Sequence, residues 1–180
     1  QWIPALVALC VVLAINLFSV KAFGEFEFWA ALLKVVALIS FIVIGTGMVL
    51  FGAQVQAHTA AVSNLWSFDG GFAPHGLLPM VLVMQGVVFA YASIEMVGTA
   101  AGEAQNPREV MPKAIRSVIY RIIFFYIGSV LLLGMLLPYT AYKAGESPFV
   151  TVFGSMGYSW IADAMNVVVL TAALSSCNSG

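Results

Sequence analysis

Two ionisable side chains lie inside long apolar stretches of the sequence, and their types could support proton chemistry. Glu95 follows an apolar run that begins at Leu77, and Lys34 interrupts another that extends from Phe28 to Phe51. A charge at the centre of a membrane-spanning helix costs about 2.5–3.5 kcal/mol, and such residues usually face a bundle interior or a water-filled path. An acid and a base at similar depth can pair, or each can bind and release a proton. Both functions stay open at this point.

Other acidic residues and Lys34 itself have simpler interpretations. Lys34 could extend its aliphatic stem to the membrane surface, whereas Glu95 is too short to do so. Glu103, near the end of its stretch, is expected to be solvated or to contact the basic loop that follows. Glu25 and Glu27 are predicted to be helix-start acids, which suit the positive end of a helix, and no chemical role is expected of them.

The composition decides the class of protein. Of 180 residues, 62% are hydrophobic and 8% are charged, and the mean hydropathy is +1.00. A soluble domain has about 45–50% apolar and about 25% charged residues, so the sequence predicts a membrane protein. The net charge of -1 gives no indication of a nucleic-acid partner.

Enzymatic and metal-dependent functions have no support in the sequence. Cys10 and Cys177 are far apart and lack the spacing of a disulfide framework or a metal site. No nucleophile with a neighbouring base, no metal-ligand cluster and no phosphate-binding loop is recognisable. The sequence therefore predicts neither an enzyme nor a bound cofactor or metal.

The elements that would position Lys34 and Glu95 are membrane helices. A bilayer core about 30 Å thick needs roughly 20 helical residues, and five stretches reach this length, approximately residues 2–20, 28–51, 77–101, 118–138 and 160–180. The predicted fold is an all-α polytopic helix bundle in which residues 1–180 form one transmembrane domain. The first stretch lacks the features of a signal peptide. Because the sequence has no initiator Met and its last stretch has no flanking loop, we expect an internal fragment of a larger protein.

Basic residues predict the orientation of these helices, because cytoplasmic loops of membrane proteins are enriched in Lys and Arg. The connection at residues 102–117 contains Arg108, Lys113 and Arg116, and Arg121 follows at the start of the next helix. The connection at residues 52–76 contains no Lys or Arg. We therefore expect the first connection in the cytoplasm and the second outside the cell, around a multi-pass protein of the cytoplasmic membrane.

Small residues are frequent in the third and fifth stretches. Close helix packing explains them sufficiently. Transporters also bind substrates at interrupted helices near the membrane centre, and the sequence around residues 90–94 permits such a break without requiring it.

Several segments resemble a known family. These are "FGEFEFWAALLKVVAL", "FAYASIEMVGTAAGEAQNP", "VMPKAIRSVIYRIIFFYIGSVLLLGMLLP", "SPFVTVFGSMG" and "NVVVLTAALSSCNSG". They are similar to bacterial amino acid permeases of the amino acid-polyamine-organocation superfamily. The resemblance implies that the five stretches are helices four to eight of a twelve-helix transporter with an inverted repeat.

The resemblance also implies a function. Within the superfamily the segments are most similar to the L-asparagine permease subgroup, which implies proton-coupled uptake of L-asparagine by alternating access. The alternatives are a permease for D-serine, D-alanine, glycine or another neutral amino acid, and a non-transporting membrane scaffold subunit. The expected partners are a small amino acid, protons and membrane lipid, and no oligomeric state is predicted.

Site residues follow from the same resemblance. The family's sixth helix unwinds at the stretch that matches residues 89–95, where backbone carbonyls accept hydrogen bonds from the substrate ammonium. Lys34 and Glu95 are the implied proton-coupling residues. The implied substrate-binding residues are Phe89, Ala90, Tyr91, Ala92, Ser93, Glu95, Ser175 and Asn178. The family's first helix, which holds the substrate carboxylate, has no counterpart in this sequence.

Overall fold

Helices form most of the computed structural model, which describes residues 2–18, 20–68, 71, 73–91, 98, 106–157 and 159–179. The first half of the chain contains α1 (Trp2–Phe18), α2 (Val20–Leu50), the short α3 (Asn64–Ser67) and α4 (Leu77–Ala90). The second half contains α5 (Pro107–Arg121), a π-helical segment (Ile122–Ile127), α6 (Gly128–Leu136), α7 (Pro148–Gly154) and α8 (Ser159–Ser179). A 3₁₀ turn (Tyr139–Ala141) precedes α7.

Three described helices are long and apolar enough to cross a membrane, judged by length and composition. They are Gly24–Leu50, Pro107–Leu136 and Trp160–Cys177. The helices in the other two predicted spans are shorter as described, with 17 residues in α1 and 14 in α4. The chain is therefore mostly helical, and its division into five spans stays a prediction.

The second of these helices, Pro107–Leu136, widens near its middle. Residues 122–127 form a π-helical segment between α5 and α6. Ser129, which is 4% exposed, donates its hydroxyl to the backbone oxygens of Phe125 and, at 3.2 Å, Tyr126. Because a serine hydroxyl has one proton, the two carbonyls share it. The helix continues from Pro107 to Leu136 through this segment.

A β-hairpin follows α2 and was not expected in an all-α fold. Strands β1 (Gln54–Val55) and β2 (His58–Thr59) pair antiparallel, with Val55 opposite His58. The turn places Gln56 at φ 56°, in the left-handed region that few residues other than glycine adopt. Two-residue strands carry no periodicity that a sequence pattern could reveal, which is why the prediction missed them.

The segment after the hairpin is held against the end of α6. The Asn64 side-chain amide donates to the carbonyls of Thr59 and Met135, both at 2.8 Å, and the Ala61 amide also donates to Met135. Gly134 lets α3 approach closely, since an added Cβ would lie 2.9 Å from a methyl of Leu65. Packing and hydrogen bonds therefore fasten this loop to the bundle.

The buried core lies at the same end of the bundle. Phe41 is 1% exposed, and its ring packs edge-on against Phe149 at 5.0 Å and Phe153 at 5.9 Å. We call the buried residues here the hairpin cluster: Phe41, Val55, Ala60, Leu132, Leu136, Leu137, Val152, Phe153 and Met165. This cluster joins α2, the hairpin, α6, α7 and α8.

At the opposite end, α2 packs against the last turns of α8. Helix α2 begins at Val20, so Glu25 and Glu27 are not in its first turn, and the prediction of helix-start acids is wrong. The stretch at residues 21–27, predicted to connect the first two spans, instead belongs to α2, whereas the end of α2 at Leu50 lies close to the predicted end at residue 51. Its face toward α8 includes the half-buried Glu27 and Lys34 and the buried Ala30. These positions share one helix face by their spacing of three and four residues, and the small Ala30 lets α8 approach closely.

Candidate functional site: a polar triad between α2 and α8

Three polar side chains form a hydrogen-bonded chain between α2 and α8. The Lys34 ammonium donates to the Ser175 hydroxyl at 2.7 Å. The Ser175 hydroxyl in turn donates to Glu27 Oε2 at 2.6 Å. Ser175 is only 1% exposed, whereas Lys34 and Glu27 are half-buried. We call Glu27, Lys34 and Ser175 the polar triad.

Helix geometry explains how one serine reaches both charged residues. Glu27 and Lys34 are seven residues apart, which is two turns and roughly 10 Å along α2. Helical side chains lean toward the N-terminus of their helix, so the long Lys34 side chain extends back in the direction of Glu27. Ser175, on the neighbouring helix, lies between the two charged groups.

The chemistry of the polar triad is that of a short proton wire. A hydroxyl can accept one hydrogen bond and donate another, and here it accepts from a cation and donates to an anion. Both bonds are charge-assisted and hence stronger than bonds between neutral groups. The opposite charge on Glu27 also offsets part of the cost of holding Lys34 away from water. Lys34 therefore bonds to a buried partner and does not extend to the membrane surface.

The predicted substrate-binding stretch is described only at its start. Helix α4 ends at Ala90, so the backbones of Phe89 and Ala90 are helical and Tyr91 lies in a turn. The half-buried Tyr91 ring stacks on Tyr126 with centroids 5.5 Å apart, which places it beside the π-helical segment. Ala92, Ser93 and Glu95 lie outside the described residues, and so does the expected pairing of Lys34 with Glu95.

The last helix holds two further predicted residues. The structure brings Ser175 into contact with Lys34. Asn178 lies in the last turn of α8, where only its backbone is described. The neighbouring Ser176 is exposed.

Sequence reasoning missed Glu27. The signal was present, because Glu27 and Lys34 are separated by seven residues and therefore share a helix face. The prediction began this span at residue 28, so Glu27 was interpreted as a helix-start acid without a chemical role. Among the described residues, no group of three His, Cys, Asp or Glu side chains is arranged to hold a metal ion.

Comparison with known proteins identifies the family. The whole chain, residues 1–180, matches the family described as Amino acid permease, and the chain belongs to it. It is 58% identical over all 180 residues to L-asparagine permease 1 of Mycobacterium tuberculosis, 56% identical to L-asparagine permease of Escherichia coli and 51% identical to L-asparagine permease of Streptomyces coelicolor. No solved structure matches the chain.

These comparisons confirm the resemblance seen in the sequence. The chain is a multi-pass membrane protein of a transporter family and not an enzyme. It spans 37% of the length of the Mycobacterium tuberculosis and Streptomyces coelicolor relatives and 36% of the Escherichia coli relative.

Proposed function

We propose that the chain provides helices four to eight of a twelve-helix L-asparagine permease, which takes up its substrate together with protons. Support for the substrate comes from relatives that are named L-asparagine permeases and are 51–58% identical over the full chain. Support for proton coupling comes from the polar triad, which joins a lysine and a glutamate through one buried hydroxyl. The polar triad is the observation on which the mechanism rests.

The proton step can be written with the three side chains alone. The Lys34 ammonium gives a proton to the Ser175 oxygen while the Ser175 hydroxyl gives its own proton to Glu27. One N–H and one O–H bond break and two O–H bonds form, so a neutral amine and a neutral carboxylic acid replace the ion pair. Release of the Glu27 proton to water then leaves Lys34 neutral.

Neutralising Lys34 changes how strongly α2 and α8 attract each other. A charge-assisted hydrogen bond contributes about 1.5–3 kcal/mol, compared with about 0.5–1.5 kcal/mol for a neutral one. Loss of the charge therefore weakens the contact between the two helices at this end. We propose that this change biases the bundle between its outward-open and inward-open states, as alternating access requires.

The substrate site in this proposal begins where α4 ends. The last carbonyls of an α-helix have no partner within the helix, and a helix that stops at Ala90 presents such carbonyls at Phe89 and Ala90. A substrate ammonium suits them, and the Glu95 carboxylate would add a negative charge beside it. Tyr91, Ala92, Ser93, Ser175 and Asn178 complete the proposed site.

Uptake by the full-length protein tests the substrate. Cells that lack their own asparagine uptake should accumulate labelled L-asparagine when they express it, and a protonophore should abolish the accumulation. Excess glycine, D-serine or phenylalanine should compete weakly. Strong competition by one of them, or no uptake of L-asparagine, would contradict the proposed substrate.

The Lys34→Ala variant tests the coupling. Loss of one charge-assisted hydrogen bond of about 1.5–3 kcal/mol corresponds to a decrease in proton-driven uptake of about tenfold or more. Exchange of internal for external L-asparagine, which needs no net proton movement, should persist. Lys143→Ala is the matched control, since Lys143 is an exposed lysine in the connection before α7. Unchanged accumulation in Lys34→Ala would assign the polar triad to helix packing alone, as in a scaffold subunit.

A further inference from the structure

A cleft of about 790 Å³ runs along the first part of the long helix Pro107–Leu136. The described residues that line it all lie between Arg108 and Phe125, and we call it the basic groove. Its lining includes four basic side chains, Arg108, Lys113, Arg116 and Arg121, and one acidic side chain, Glu109. These five side chains are all exposed. The proposed transport mechanism uses none of them.

The chemistry of the basic groove changes along the helix axis. The first three turns present Arg108, Lys113 and Arg116, and the turns that follow present Tyr120, Phe124 and Phe125. Residues four apart lie on one face of a helix, so charged and aromatic residues form one continuous stripe. The first end of the groove holds three of its four cations and suits an anion, whereas the other end holds three aromatic rings besides Arg121 and suits an apolar chain.

Helix length places this change of chemistry at the membrane surface. The helix Pro107–Leu136 has 30 residues and is therefore about 45 Å long, whereas the hydrocarbon core is about 30 Å thick. In a helix that lies along the bilayer normal, about ten residues lie outside the hydrocarbon. They are at the Pro107 end, because the Leu136 end is apolar and packs in the hairpin cluster while the first ten residues carry three cations. Arg108, Lys113 and Arg116 thus lie at the level of lipid headgroups.

The flanking surface favours a lipid over a soluble anion. Ile119 and Ile123 on the same helix are 51% and 48% exposed, and Phe124 is 63% exposed. These exposed apolar side chains follow the cations along the helix. They are suited to contact the acyl chains of a lipid whose phosphate lies beside the cations. Basic pockets at the membrane boundary attract anionic lipids with about 1 kcal/mol for each Lys or Arg.

We propose that the basic groove binds an anionic phospholipid, with its phosphate beside Arg108, Lys113 and Arg116 and an acyl chain along Tyr120, Phe124 and Phe125. Glu109 is the one acidic side chain among the four basic ones that line the groove, so the lining still favours an anion. The lipid class is phosphatidylglycerol or cardiolipin, whose phosphates carry negative charge without a balancing amine.

Thermal unfolding of the purified full-length protein in mild detergent tests this proposal. Addition of phosphatidylglycerol should raise the unfolding temperature, and phosphatidylcholine at the same concentration should not. Each cation removed should weaken phosphatidylglycerol binding roughly fivefold. The triple variant Arg108→Gln/Lys113→Gln/Arg116→Gln should therefore bind on the order of a hundredfold more weakly.

Two control variants separate the groove from general charge and from folding. Lys143→Gln removes an exposed lysine elsewhere and should bind phosphatidylglycerol as the unaltered protein does. Arg108→Lys/Arg116→Lys keeps the charge and should retain the preference for phosphatidylglycerol over phosphatidylcholine. Equal stabilisation by both lipids, or a triple variant that keeps the preference, would overturn the proposal. Stabilisation by inorganic phosphate alone would assign the groove to a soluble anion and would overturn it as well.

Discussion

The two ends of α2 contact the rest of the bundle in different ways. Toward the hairpin, Phe41 is almost completely buried and packs against Phe149 and Phe153 of α7. Two and four turns earlier on the same face, Lys34 and Glu27 are half-buried and reach α8 through the hydroxyl of Ser175. Apolar packing does not depend on protonation, whereas a contact between charged groups does. The structure shows a packed anchor at one end, and our proposal makes the polar triad at the other end the proton-sensitive contact.

The largest effect is expected at the anchor. Phe41→Ala should lower the free energy of unfolding by about 3–5 kcal/mol, because it removes a buried aromatic ring and leaves a cavity. Thermal unfolding of the full-length protein in detergent measures this effect. Phe51→Ala is the control, since Phe51 is 89% exposed and its replacement should change stability by less than about 0.5 kcal/mol. Equal losses in both variants would mean that the hairpin cluster is not an anchor.

Substitution in the polar triad is expected to change stability less than substitution at the anchor. It is also expected to change the pH dependence of uptake. Ser175→Ala removes the hydroxyl that joins Lys34 to Glu27 and should cost about 1–3 kcal/mol. It should also alter the pH profile of L-asparagine uptake, which Phe41→Ala should leave unchanged in the protein that remains folded. Ser176→Ala is the matched control, because Ser176 is the exposed neighbour on the same helix. A pH profile that is the same in all three variants would remove the distinction between the two ends.

The smallest loss of stability is expected when a hydrogen bond beside the hairpin cluster is removed. The Tyr142 hydroxyl donates to the Leu133 carbonyl at 2.7 Å, and that carbonyl also accepts from the Leu137 amide at 3.2 Å. Tyr142→Phe therefore leaves the carbonyl bonded and should cost only about 0.5–1.5 kcal/mol. Tyr139→Phe, at an exposed tyrosine in the preceding turn, should have no measurable cost. A loss of stability in Tyr142→Phe larger than that in Ser175→Ala would contradict this order of effects.

Tyr142 also makes the stability of this end of the bundle depend on pH in alkaline solution. Burial raises the pKa of the Tyr142 hydroxyl above its usual value, because the charged form is poorly solvated. The folded state then holds the proton more tightly than the unfolded state, whose tyrosine pKa is about 10. The contribution is fully present below about pH 10 and decreases as the pH rises above it. Tyr142→Phe should remove this alkaline decrease from the unfolding curve, and an identical decrease in the variant would contradict the assignment.

Sequence reasoning reached the family and the membrane class, and it singled out Lys34 and Ser175, but it did not reach Glu27. It proposed Glu95, which lies outside the described residues, and it dismissed Glu27. The span boundary at residue 28 was drawn from hydropathy, and hydropathy locates the bilayer more reliably than it locates a helix end. Because α2 extends to Val20, Glu27 belongs to the helix and shares the face of Lys34. The hairpin escaped prediction because two-residue strands have no pattern.

The sequence by itself determined that this protein is a mostly helical membrane protein of a transporter family, since apolar length, basic residues and family segments are properties of the chain read in order. Tertiary structure alone decided that Ser175, 141 residues after Lys34, lies between an ammonium and a carboxylate. The reason is physical: hydropathy records how each residue partitions between water and lipid, whereas a hydrogen bond depends on which faces of two helices meet. That meeting is set by how the side chains of α2 pack against those of α7 and α8.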